Sequence, residues 1–151
     1  MAVTVAALLS AIHLLTLGLG LGSVYMRGRA LASPLDEAGW RRLLAADNAW
    51  GAAAGLWIAS GIARVFFGGK EPTFYLYNGL FWTKLALFAL VFVLELGPMI
   101  TFIRVRTAQR RGTALPTFSV AAYRRINNAE VALVVMIVFV AAFMARGVWM
   151  F

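Results

Sequence analysis

Long apolar runs alternate with short polar connections along the whole chain. Four stretches, Val3 to Tyr25, Asp47 to Arg64, Leu80 to Ile103 and Ile126 to Val148, are poor in charge and together cover more than half of the residues. About 20 mostly apolar residues in a helix cross the ~30 Å hydrocarbon layer of a bilayer, and each stretch reaches or approaches that length. The pattern predicts an all-α fold. A single integral membrane domain over residues 1–151 forms a transmembrane four-helix bundle, with spans at 3–25, 47–64, 80–103 and 126–148.

The connections set an orientation. Four basic residues (Arg27, Arg29, Arg41, Arg42) lie between the first two spans and six (Arg104, Arg106, Arg110, Arg111, Arg124, Arg125) between the last two, whereas the middle connection holds only Lys70. The first and third connections of a four-span chain share a side, so this bias places both in the cytoplasm and both termini outside. The first basic residue, Arg27, follows the first apolar run, which is therefore expected to stay as a span and not to act as a cleaved signal peptide. Within the first connection, Ser33, Pro34 and Asp36 read as an N-cap, a first-turn proline and an acidic N3. With Leu35, Trp40, Leu43 and Leu44 as an apolar face, they predict a short interfacial helix leading into the second span. The middle connection, rich in Gly, Pro and aromatic residues, predicts a turn at the outer headgroup level.

Composition narrows the chemistry. Hydrophobic residues make up 62% of the chain and charged ones 13%, against roughly 25% charged in a soluble domain. There is no cysteine, which excludes disulfides, thiolate metal sites and thiol catalysis together. A single histidine, His13, excludes any multi-histidine metal site within one chain. The net charge of +8 is concentrated beside apolar spans, so the partner it predicts is the anionic headgroup layer of a lipid bilayer and not nucleic acid. Gly18 and Gly22, and likewise Gly51 and Gly55, lie four apart, a spacing that predicts close helix packing, with clearance for a cofactor as the lesser alternative.

Ionisable groups inside a membrane are costly, at least ~2.5 kcal/mol each on insertion scales, and so concentrate function. They are His13, Asp47, Arg64, Lys84, Glu95, Glu130 and Arg146. In the predicted orientation the cations stand near the outer ends of their helices and the carboxylates further in, a field suited to a flat anionic ligand in the outer half. Lys84 and Glu95, eleven residues apart, share one helical face about 16 Å apart along the axis, and a common wet cavity is expected to join them. Each residue also has a plainer role. Arg64, Lys84 and Arg146 reach the outer headgroups by snorkelling, Asp47 caps its helix, and Glu130 with Asn127 and Asn128 starts the fourth. His13, roughly 15 Å deep, serves either as an interhelical hydrogen-bond partner or as a haem-iron ligand with Met136 or Met144 opposite.

Two resemblances follow from particular runs. With Arg27-Gly28-Arg29-Ala30-Leu31, Asp47-Asn48-Ala49-Trp50-Gly51 and Glu95-Leu96-Gly97-Pro98-Met99, the chain resembles uncharacterised bacterial four-span inner-membrane proteins over its whole length. More distantly it is similar to the haem-containing four-helix membrane protoporphyrinogen IX oxidases, through His13, through Trp82-Thr83-Lys84 and through Tyr123-Arg124-Arg125-Ile126-Asn127-Asn128-Ala129-Glu130. In that family the first-span histidine and third-span lysine, matched by His13 and Lys84, are associated with haem and activity. Its third-span histidine pair is replaced here by Glu95 and Leu96.

The second resemblance implies a haem- or porphyrin-handling redox protein of the bacterial inner membrane. His13 is then the metal ligand of haem b and Lys84 its companion; the placement of the remaining intramembrane charges adds Arg64 and Arg146 to Lys84 as partners of the propionates, and Glu95 and Glu130 to Lys84 as the catalytic set, with Glu95 moving protons while electrons pass to a quinone or a partner. The alternatives are a non-enzymatic accessory or assembly subunit, associated with a membrane-protein partner or a second copy of itself, and, third, a small proton-coupled transporter.

Overall fold

The computed structural model describes residues 2–150. Its elements are α1 (Ala2–Leu31), α2 (Glu37–Phe67), the short α3 (Pro72–Leu76), α4 (Gly79–Arg111) and α5 (Val120–Ala145). Four of them are long and apolar enough to cross a membrane, and the chain is a multi-pass membrane protein built as an all-helical bundle. At 1.5 Å per residue, the 33 residues of α4 rise about 50 Å, well beyond the hydrocarbon layer.

The helices outrun the apolar stretches at the basic end. α1 continues to Leu31, so Arg27 lies inside the first span's helix and not in a connection. α4 continues to Arg111, where Gly112, at φ 63°, terminates it in the left-handed conformation. α5 starts at Val120, capped by the Ser119 side chain, and ends at Ala145, so Arg146 is a C-cap residue. Leucine, alanine and arginine are all good helix formers, and charge alone gives a helix no reason to stop once it leaves lipid.

The helix expected in the first connection is the opening of α2 itself, continuous with the span. Its N-cap is Asp36, whose carboxylate accepts from the Gly39 amide at 2.7 Å, and not Ser33. The apolar face named above packs as a small second core at the basic end. Ala30, Leu31, Leu43 and Phe102 are buried there, with Leu35, Trp40, Phe118 and Tyr123 around them. The turn between the second and third spans contains α3, lying between Phe67 and Gly79.

The main core is an apolar belt across four helices: Val24 from α1, Trp50 and Trp57 from α2, Val91 from α4, and Leu133, Val134 and Ile137 from α5. Large apolar side chains such as Leu14, Leu15, Leu56, Phe92 and Phe139 point outward, as a lipid-facing surface requires. The glycines spaced four apart do not make the helix contact. A side chain at Gly18, Gly22, Gly51 or Gly55 would meet nothing within 4 Å, whereas a Cβ at Gly20 would lie 3.3 Å from the Trp50 ring and 3.5 Å from the Ala53 methyl. Close approach of α1 and α2 therefore runs through Gly20, because the large ring of Trp50 needs the space.

Candidate functional site

Two polar sites lie at either side of the apolar belt. The first centres on Arg27, whose side chain is 1% exposed. Its guanidinium is held by all three other long helices. Nη1 donates to both Glu95 oxygens at 2.8 and 2.9 Å and to Asp47 Oδ1 at 3.2 Å; Nη2 donates to Glu130; Nε donates to Asn127 Oδ1 at 3.0 Å. Around this centre, Trp50 Nε1 donates to Glu95 at 3.1 Å and Arg106 Nη2 donates to the second Asp47 oxygen at 2.6 Å. Three carboxylates thus face two guanidinium groups, and Glu130 Oε1 is buried with no partner among the described residues.

Burying such charges is expensive, and the Coulomb attraction offsets the cost only where the hydrogen-bond geometry is good. Here Arg27 uses every nitrogen of its fork. The cluster fixes the axial register of four helices at once, since sliding any one helix by a residue would leave a charge unpaired in an apolar interior. Asp47 is a buried, doubly paired group within α2 and not a helix cap.

The second site is a cavity of about 150 Å³ lined by His13, Trp57, Gly61, Phe81, Lys84 and Phe88, among others. His13 on α1 and Ser60 on α2 meet at 2.8 Å between Nδ1 and Oγ. Both this contact and the 3.1 Å contact from the Ser60 hydroxyl to the Trp57 carbonyl are satisfied together by the neutral tautomer whose Nδ1–H donates to Ser60 Oγ, in which Nε2 keeps its lone pair. The imidazole stands 5.7 Å from the Trp57 ring, which in turn meets Phe88 edge-on at 5.5 Å. Gly61 makes room for the imidazole, since a Cβ there would come within 3.4 Å of its Cε1. Trp57 is 8% exposed and its indole N–H has no partner among the described residues. Lys84, half-buried on α4, has its ammonium 5.5 Å from the centre of the Phe81 ring. Ile58, Ile62 and Leu85, all exposed, form the rim, so the cavity opens toward lipid.

The sequence-predicted residues therefore separate into two groups. His13 and Lys84, on different helices, share the cavity. Glu95 and Glu130 are partners of Arg27 at the other site. The common wet cavity expected for Lys84 and Glu95 does not form, because Trp57, Val91 and Ile137 of the belt fill the space between. Arg64 is half-buried one turn beyond Ser60 but does not line the cavity. Arg146 is not brought to it either; its Nη1 donates to the Ala142 carbonyl of its own helix at 3.1 Å. Neither Met136, which is exposed, nor Met144 lines it.

Arg27 and Arg106 are the site residues that sequence reasoning missed, having counted both as basic connection residues. A signal for them existed. Asp47, Glu95 and Glu130 all stand toward the basic ends of their spans without a cation among the intramembrane groups there, and three carboxylates in an apolar setting require one.

No curated protein and no solved structure matches the chain. A family model does, over nearly its whole length, which agrees with the resemblance to uncharacterised four-span proteins and lends no support to the likeness with the porphyrinogen oxidases. Since residues 5–149 match the family described as "Predicted membrane protein (DUF2214)", the chain belongs to that family.

Proposed function

We propose that the chain is a bacterial inner-membrane protein that binds a planar, largely apolar ligand carrying acidic groups, of the haem or porphyrin class, at the cavity of His13 and Lys84. The observation that carries this reading is the convergence of the two residues from α1 and α4 on one lipid-facing cavity. The donor set suits such a ligand. His13 offers an unprotonated Nε2 with its other nitrogen anchored by Ser60, the arrangement by which a hydrogen bond to the far nitrogen orients a metal-ligating imidazole. Lys84 supplies a positive charge, and Trp57 has an unused buried N–H.

The enclosed volume, about 150 Å³, is below the ~300–1,000 Å³ of pockets that engulf a whole small molecule. It takes part of such a ligand, and the remainder faces lipid across the rim. Bound there, haem would have His13 as its iron ligand and Lys84 beside its carboxylates, and would supply one-electron redox chemistry. Titrating the detergent-purified protein with haem and following the absorbance tests the reading. Saturable binding is expected, abolished by His13→Ala and weakened about tenfold by Lys84→Met, the loss of one charge-assisted contact. Binding that ignores both substitutions refutes it.

A second reading, an accessory subunit whose charges hold the fold, rests on the Arg27 cluster, which ties four helices together. The two readings assign different sites, and the bundle-locking role of the cluster stands under either.

A further inference from the structure

A groove of about 450 Å³ runs between α1 and α5 at the basic end, away from the His13 cavity and sharing Asn127 with the Arg27 cluster. Its polar lining is Tyr25, Arg29, Arg124, Asn127 and Asn128, and its apolar walls include Val131 and Ala132. Arg29 lies in the last turn of α1 and Arg124 in the first turns of α5, so both guanidinium groups stand where these helices leave the apolar layer. Neither forms an ion pair or a side-chain hydrogen bond among the described residues. Asn127 is 2% exposed; its Oδ1 accepts from Arg27, while its Nδ2 has no hydrogen-bond partner among the described residues. Gly28 is required beside it, since a Cβ there would fall 2.5 Å from Nδ2.

We infer that this groove binds the phosphate of an anionic phospholipid. Two unpaired arginines and two amide side chains form a donor set for a phosphodiester. The apolar wall of Val131 and Ala132 continues from them toward the membrane interior, where an acyl chain lies. Basic pockets between membrane helices at the cytoplasmic side recognise anionic headgroups on this principle. A free phosphate ion would use the donors and leave the apolar wall unused, which favours the lipid. The occupant also reaches the charge cluster in two steps, through Asn127 to Arg27.

Native mass spectrometry of the purified protein, titrated with phosphatidylglycerol or phosphatidylcholine in detergent, tests the assignment. Phosphatidylglycerol should be retained in preference, and the double variant Arg29→Gln/Arg124→Gln should lower its retention about tenfold or more. Arg110→Gln/Arg111→Gln, which removes the same charge outside the groove, should leave it unchanged. Ala132→Trp, which fills the groove at constant charge, should lower it as well. Equal loss in both arginine pairs shows only diffuse attraction to headgroups and overturns the site. Equal retention of the two lipids, or complete competition by inorganic phosphate, overturns the lipid assignment, as does a phosphatidylglycerol-independent dimer broken by Ala132→Trp.

Discussion

Nη1 of Arg27 lies 2.8 and 2.9 Å from the two carboxylate oxygens of Glu95, joining the end of α1 to the middle of α4. Removing the cation leaves Glu95, Glu130 and Asp47 close together in an apolar interior. Arg27→Met should therefore cost about 3–5 kcal/mol, the range for deleting one partner of a buried ion pair. Thermal unfolding in detergent checks this, and a change below about 1 kcal/mol would show that the cluster is solvated.

The four spans were legible because a helix in lipid needs an unbroken apolar run, and nothing else in the chain competes with that signal. Helix ends were less so. Arg27 breaks the apolar run but is satisfied by three carboxylates and Asn127, all far away in sequence, and hydropathy does not register a charge paired across the bundle. His13 and Lys84 were legible as isolated polar groups in apolar spans; that they meet in one cavity is a matter of helix rotation, which the short connections leave open.

Coupling between sites should follow the same division. Trp50 donates to Glu95 at 3.1 Å, so Trp50→Phe and Glu95→Gln should combine non-additively in unfolding free energy, with an interaction of about 0.5–3 kcal/mol. Lys84→Met and Glu95→Gln act on opposite sides of the apolar belt and should add to within about 0.5 kcal/mol. A strong Lys84–Glu95 interaction would mean that water joins the two sites.

Glycine positions separate inner from outer faces. Gly20→Leu should destabilise by about 1–3 kcal/mol, the usual cost of overfilling a packed interior, because Trp50 and Ala53 stand against it. Gly18→Leu meets open space and should change the monomer's unfolding by less than about 0.5 kcal/mol. The reverse order would place the α1–α2 contact on the other face.

Orientation is checked by labelling. Basic residues concentrate at one end of the bundle, so a cysteine replacing Thr113 should react only after the cells are opened, and one replacing Glu71 should react in intact cells. Labelling of both from outside would reject a cytoplasmic basic end.

The most direct measurement is the reduced-minus-oxidised absorption spectrum of the protein purified from membranes, beside that of His13→Ala. The imidazole is half-exposed to the cavity and removes no charge from the Arg27 cluster when replaced, so the variant should insert and unfold much like the parent. Sharp bands in the parent and none in the variant are the predicted result. A parent that is colourless and takes up no added haem, or bands that survive in His13→Ala, would contradict a haem or porphyrin site at His13.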